Sequence, residues 1–159
     1  LNFFVHVKSS QKQTSTLYYN SFLYFFQVLI YNYYIIDYIN ENEFKEMSNF
    51  IYNEIKGTLE CIKNDKVKKI VGIGGTITSL SAINQELEVY SMEKIHNSKI
   101  SLNEIKLILQ NLKKMTLSDK KSLKGLQPKR ADIITAGVEI LYTIMKGIAS
   151  FFEKKTGKS

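Results

Sequence analysis

Three glycines and a threonine end the short apolar stretch that opens at Ile70: Gly72, Gly74, Gly75 and Thr76. A helical pattern of small and aliphatic residues follows, with Thr78, Ser79, Leu80, Ser81, Ala82 and Ile83. Glycine tolerates positive φ and lets a ligand approach the backbone closely. The first N–H groups of a helix lack internal partners and sit at the positive end of its dipole. A strand, a glycine turn and a helix start therefore make a phosphate site, with Gly72, Gly74, Gly75 and Thr76 as binding candidates. The same pattern also serves as a plain strand-to-helix bend. It is not the dinucleotide fingerprint, whose third glycine would fall at Ile77, nor a P-loop, which needs Gly-Lys-Ser/Thr.

A second group with suitable chemistry lies downstream. Arg130 opens the last helical pattern beside Asp132. A guanidinium there can fork onto a phosphate or pair with Asp132. Lys113, Lys114, Lys120, Lys121, Lys124 and Lys129 precede it, against Asp119 alone, and form either a rim for polyanions or a solvated face. No Cys/His cluster has metal-ligand spacing, and His6 and His96 are far apart. The single Cys61 excludes an internal disulfide, fits a reducing compartment and reads as a small buried hydrophobe.

The elements that must position these residues follow from length and periodicity. A chain of 159 residues favours one domain with an ordinary core. Net charge is +7, from 22 basic and 15 acidic residues, which favours anionic ligands or surfaces. Residues 1–36 differ from the rest. Leu17–Ile36 is uncharged and dense in aromatic and aliphatic residues, long enough to span a bilayer at about twenty residues. Its polar residues and six tyrosines argue against a span, and it lacks a signal-peptide cleavage site. Buried strands or a core helix fit it better. Because the aromatics sit here and not among the lysines, the stacking-plus-charge pattern of a nucleic-acid binder is missing.

Residues 40–65 form an amphipathic helix with Phe44, Met47, Ile51, Ile55, Leu59 and Ile62 as its apolar stripe. A strand at 68–73 follows, in the rhythm of an α/β layer. After the glycine turn a helix runs to about Gln85, and Leu87–Tyr90 and Lys94–His96 read as short extended pieces. Ser101 and Glu104 make a capping box before a helix carrying Ile105, Leu109 and Leu112. Ser118 is expected to cap a short helical turn that Gly125 closes, before a boundary at Gln127-Pro128. The last helix is expected from Arg130 to Phe152, apolar nearly all round and therefore central. Glu139 interrupts it and faces either solvent or a cleft.

Gly72-Ile-Gly-Gly-Thr76, Lys94-Ile-His96, Ser101-Leu-x-x-Ile105, Gly125-Leu-Gln-Pro-Lys-Arg-Ala-Asp132 and Ile134-Thr-Ala-Gly137-Val-Glu-Ile-Leu141 occur in this order. Together they resemble the second domain of the Ppx/GppA exopolyphosphatase family, over roughly Asn40 to Ile148. The resemblance implies an α/β, helix-rich fold: the second ribonuclease-H-like domain of an actin-like, Hsp70-like or sugar-kinase-like architecture. On this reading residues 1–36 are an atypical segment, 37–153 the family-like domain and 154–159 a basic tail.

The resemblance further implies hydrolysis of the terminal phosphate of polyphosphate or guanosine pentaphosphate, with magnesium, in the cytoplasm. Gly74, Gly75 and Thr76 would line the cleft and Arg130 would hold the anionic substrate, with His96 and Lys129 as further candidates. Family members also carry an Asp-x-Gly-Ser loop, a catalytic glutamate and an Asp-x-Gly-Gly-Gly-Ser loop in an N-terminal domain. None of these motifs stands in this sequence, so no catalytic residue and no magnesium ligand is assigned here. Together with the opening Leu1, this fits a truncated member or an interrupted reading frame, inactive alone, whose missing partner is that domain. An exposed domain interface would favour either association, as in a homodimer, or instability. The alternative is a non-catalytic polyphosphate- or nucleotide-binding module, or an inactive remnant.

Overall fold

The computed structural model describes residues 2–5, 41–62 and 70–156. Leu17–Ile36 lies outside them. Among the described residues no helix is long and apolar enough to cross a membrane.

Strand β1, Asn2–Val5, is the middle of a three-stranded sheet. It runs parallel to β2, Ile70–Gly72, and antiparallel to β3, Lys99–Ser101. Phe3 stands opposite both Ile70 and Ile100. The sheet thus draws its central strand from the opening segment of the chain. The parallel register ends at Val5 opposite Gly72, so the glycine turn leaves from the end of the sheet.

Helix α1, Glu41–Ile62, buries the stripe read from its periodicity: Phe44, Met47, Ile51 and Leu59 are all within the core. Its partner is α6, Ile134–Thr156, which also packs on α4, Leu102–Lys114. Ile134, Val138, Leu141, Met145 and Ile148 are buried along α6, so the expected central helix is present. Gly147 lets α1 approach, because a Cβ there would meet Leu59 Cδ1 at 2.5 Å. The α4 cap is the expected box: Ser101 Oγ accepts from the Glu104 N–H at 3.2 Å, and the Glu104 carboxylate accepts from the Ser101 N–H at 2.6 Å.

Three expectations are corrected. Lys94–His96 is not extended: Met92–Ile95 is a helical turn, α3, because the Ser91 hydroxyl accepts from the Lys94 N–H at 3.3 Å and caps it. Asn97, at φ 60, then turns the chain into β3, using asparagine's tolerance of the left-handed region. Helix α5, Leu117–Lys121, is capped by Thr116 with Asp119, not by Ser118. Finally, Arg130 does not open the last helix. Pro128–Arg130 is a 3-10 turn, and Ala131 and Ile133 still bond back three residues before α6 begins at Ile134.

Candidate phosphate-binding turn

Gly74 has φ 121 and ψ 173, a conformation that side-chain-bearing residues rarely adopt. It is the N-cap of α2, Gly75–Asn84. Helices α3, α4 and α5 each have a Ser or Thr hydroxyl on an N-terminal N–H group. At α2 the cap is a glycine and no side chain takes that place. Intrahelical bonding starts with the Thr78 N–H on the Gly74 carbonyl at 3.0 Å, so the N–H groups before it are orphan donors. The Thr78 hydroxyl turns back to donate to the Gly75 carbonyl at 3.1 Å.

The turn meets two downstream residues. A Cβ built on Gly75 would fall within the guanidinium of Arg130, 2.5 Å from Nη2. The arginine therefore lies directly over the bare Cα of the first helical residue. A Cβ built on Gly137 would stand 2.7 Å from Thr76 Oγ1 and 2.9 Å from Cγ2, so α6 backs onto α2 through a second glycine. A positive helix end and a guanidinium are thereby placed side by side, which is a geometry for gripping phosphate oxygens.

Arg130 is held in this place by its own loop. Gly125 has φ 82, and a Cβ there would land on the Ala82 carbonyl group. Only a glycine lets the loop press against the back of α2 at this point. Leu126 is then buried, and the 3-10 turn begins two residues later. A cleft of about 450 Å³ opens beside this loop, between Leu87, Tyr90 and the segment from Lys121 to Pro128.

The sequence candidates thus divide. Gly74, Gly75, Thr76 and Arg130 share one place, with Gly72 at the end of β2 just before it. Lys129 is exposed on the 3-10 turn, one residue before Arg130. His96 ends α3, its N–H donating to the Met92 carbonyl at 2.8 Å. Neither takes part in the close approaches of the turn. The lysine rim is partly engaged elsewhere: Lys124 pairs with Glu88 at 3.0 Å, and Lys113 reaches Glu41 at 3.4 Å and the Phe44 ring at 3.7 Å. Gly137 as the seat of Thr76 was not deduced from sequence. Its signal was the small pair Ala136-Gly137 near the start of a largely apolar helix.

Glu139 faces neither bulk solvent nor the phosphate turn. It is 4% exposed and lies against α1. Ser48 Oγ and Thr143 Oγ1 donate to its Oε1, at 2.5 and 3.2 Å. Burial pushes its carboxyl above the usual carboxylate range, and these two hydroxyls, with Lys113 and Lys146, oppose that shift.

Comparison with known proteins brings in relatives from several bacteria. A model of the Ppx/GppA phosphatase family matches residues 29–151. The bifunctional 3-dehydroquinate synthase/phosphatase of Fusobacterium nucleatum is 36% identical over 80 residues, which are 48% of this chain and 11% of that protein. Exopolyphosphatase 2 of Mycobacterium tuberculosis is 28% identical over 91 residues, 57% of this chain and 28% of that one. The chain therefore spans less than a third of either relative. Among solved structures, the Aquifex aeolicus Ppx/GppA family member superposes with a TM-score of 0.69 at 24% identity, over 78% of this chain and 39% of that one.

Proposed function

The chain belongs to the Ppx/GppA phosphatase family and has its actin-like, helix-rich α/β fold, and from that premise we propose that it supplies the phosphate-gripping wall of a phosphoanhydride hydrolase. The substrate on this reading is inorganic polyphosphate or guanosine pentaphosphate. The observation that carries the proposal is the guanidinium of Arg130 seated on Gly75, at the uncapped start of α2. The name of the Mycobacterium tuberculosis relative, an exopolyphosphatase, points to the same substrate class.

The chain's own residues perform the holding part of the reaction. The N–H groups of the α2 start and the guanidinium neutralise oxygens of the terminal phosphate and of the phosphate beside it. Thr76 cannot swing back, because Gly137 and the helix behind it fill that side. Orientation of the anhydride relative to an attacking water is the contribution such a wall makes. Water attack also needs a base to take its proton. The groups gathered at the turn are N–H donors, a guanidinium and a hydroxyl, and none of them is such a base.

Magnesium, which the family resemblance implies, would help to offset charge on the phosphates. The guanidinium and N–H groups at the turn repel or cannot ligate a cation, and the Thr76 hydroxyl is a single neutral oxygen, so the set does not fit one. Among the described residues no three His, Cys, Asp or Glu side chains converge. No step here passes through the metal. A cytoplasmic setting is part of the same proposal.

The test uses the purified 159-residue chain with polyphosphate. Expected are salt-sensitive binding, its loss in Arg130→Ala, and no magnesium-dependent phosphate release. Release of phosphate at a rate that Arg130→Ala reduces would overturn the holding-only reading. Binding untouched by Arg130→Ala would remove the site from Gly75.

A further inference from the structure

A cavity of about 310 Å³ lies between α1 and α6. Glu139 lines it, together with Ser48 and Tyr52 from α1 and Tyr142 and Lys146 from α6. A carboxyl 4% exposed is costly to bury, and its oxygens need partners from the protein or from whatever occupies the space beside them. Both hydroxyl bonds given by described residues, from Ser48 and Thr143, fall on Oε1. Among the described residues none of these donors serves Oε2.

The lining narrows what would fill the space. The volume is at the small end of the ~300–1,000 Å³ range of ligand sites and is roughly ten times the ~30 Å³ share of one water. A carboxylate on the floor repels anions. No cluster of acidic or histidine ligands accompanies it among the described residues, so a metal ion lacks its donor set. A carboxylate with tyrosine rings beside it is a setting for an ammonium group. Lys146 at the rim repels a second positive charge and attracts a negative one. It stands seven residues after Glu139, about 10 Å along the helix axis, and its flexible stem shortens that span.

We propose that the cavity between α1 and α6 binds a small zwitterion, with an ammonium group on Glu139 Oε2 and an anionic end at Lys146. This site is independent of the phosphate-binding reading. Ligand binding joins two helices that otherwise meet mainly through apolar contacts.

The experiment is an NMR titration of the full chain with two probes matched in length, 4-aminobutanoate and 1,4-diaminobutane. The expected result is saturable shifts at Ser48, Tyr142 and Thr143 with 4-aminobutanoate, and binding of the diamine weaker by about tenfold. Glu139→Gln, whose fold is checked by its thermal melt, is expected to weaken 4-aminobutanoate by at least about tenfold. Lys146→Ala is expected to erase the preference between the two probes. Absence of shifts at about 10 mM of either probe, weaker than ordinary ligand affinities, overturns the site. Equal binding of both probes by the wild-type chain overturns the zwitterion. Undiminished binding by a folded Glu139→Gln variant overturns the role of Glu139.

Discussion

The Arg130 guanidinium fills the space where a Gly75 side chain would begin, and the proposed grip on phosphate depends on that approach. Gly75→Ala would drive a methyl group into the guanidinium. The arginine end is flexible, so it moves aside and stability changes by less than about 1 kcal/mol. Polyphosphate affinity is expected to fall at least about tenfold, measured by a binding titration beside a denaturant melt. Gly125→Ala is the opposite case. Its φ is 82 and the obstacle is the Ala82 backbone, which cannot move aside. A loss of about 2–3 kcal/mol is expected in urea unfolding. Glu139 provides a third residue-scale prediction. Its carboxyl is raised in the folded state, so the folded chain holds the proton more tightly than the unfolded chain. The resulting stabilisation is present below the unfolded value and is lost as pH rises through the folded one. Glu139→Gln is therefore expected to gain on the wild type as pH rises from the unfolded carboxyl value through the folded one and to hold a constant offset above it, with a flatter stability profile across that range.

The helices show which signals a sequence carries plainly. The α1 stripe and the Ser101–Glu104 box were legible because each depends on spacing within one turn or a few. Ser101→Ala removes the hydroxyl that the Glu104 N–H donates to, and a loss of about 1 kcal/mol is expected from thermal unfolding. The start of α6 was not legible. Residues 130–133 run without a break into the apolar pattern of the last helix, but Pro128 starts a tighter turn whose bonds span three residues. The difference matters for the proposed function, because it sets Arg130 on the turn that leans over Gly75. Nor could periodicity tell where Glu139 points. A polar residue on a helix apolar nearly all round has no polar face to join, and its partner Ser48 is 91 positions away. Helix Met92–Ile95 was hidden because a four-residue turn has too few positions to show a period, leaving Ser91 as its one signal.

At the scale of the molecule, two separated parts of the chain meet at one end of the sheet: the glycine turn, and the 3-10 turn that runs on into α6. Their residue types were readable one by one. Their convergence was supplied by the ordered motifs and not by any local pattern. One prediction belongs here. If the wall holds phosphate by charge, log affinity for polyphosphate should fall steadily with log salt, and Arg130→Ala should lower that slope as well as the affinity. A slope unchanged in the variant would place the anion on the lysines instead.

Helix α6 has bare backbone where it meets Thr76 and a carboxylate two residues further on. Ordinarily a side chain between two packed elements acts as a cushion, changing rotamer when one of them shifts. Gly137 has nothing to rotate. Any slide of the helix, by even a few tenths of an ångström, is delivered undamped to the threonine, and the turn must follow it.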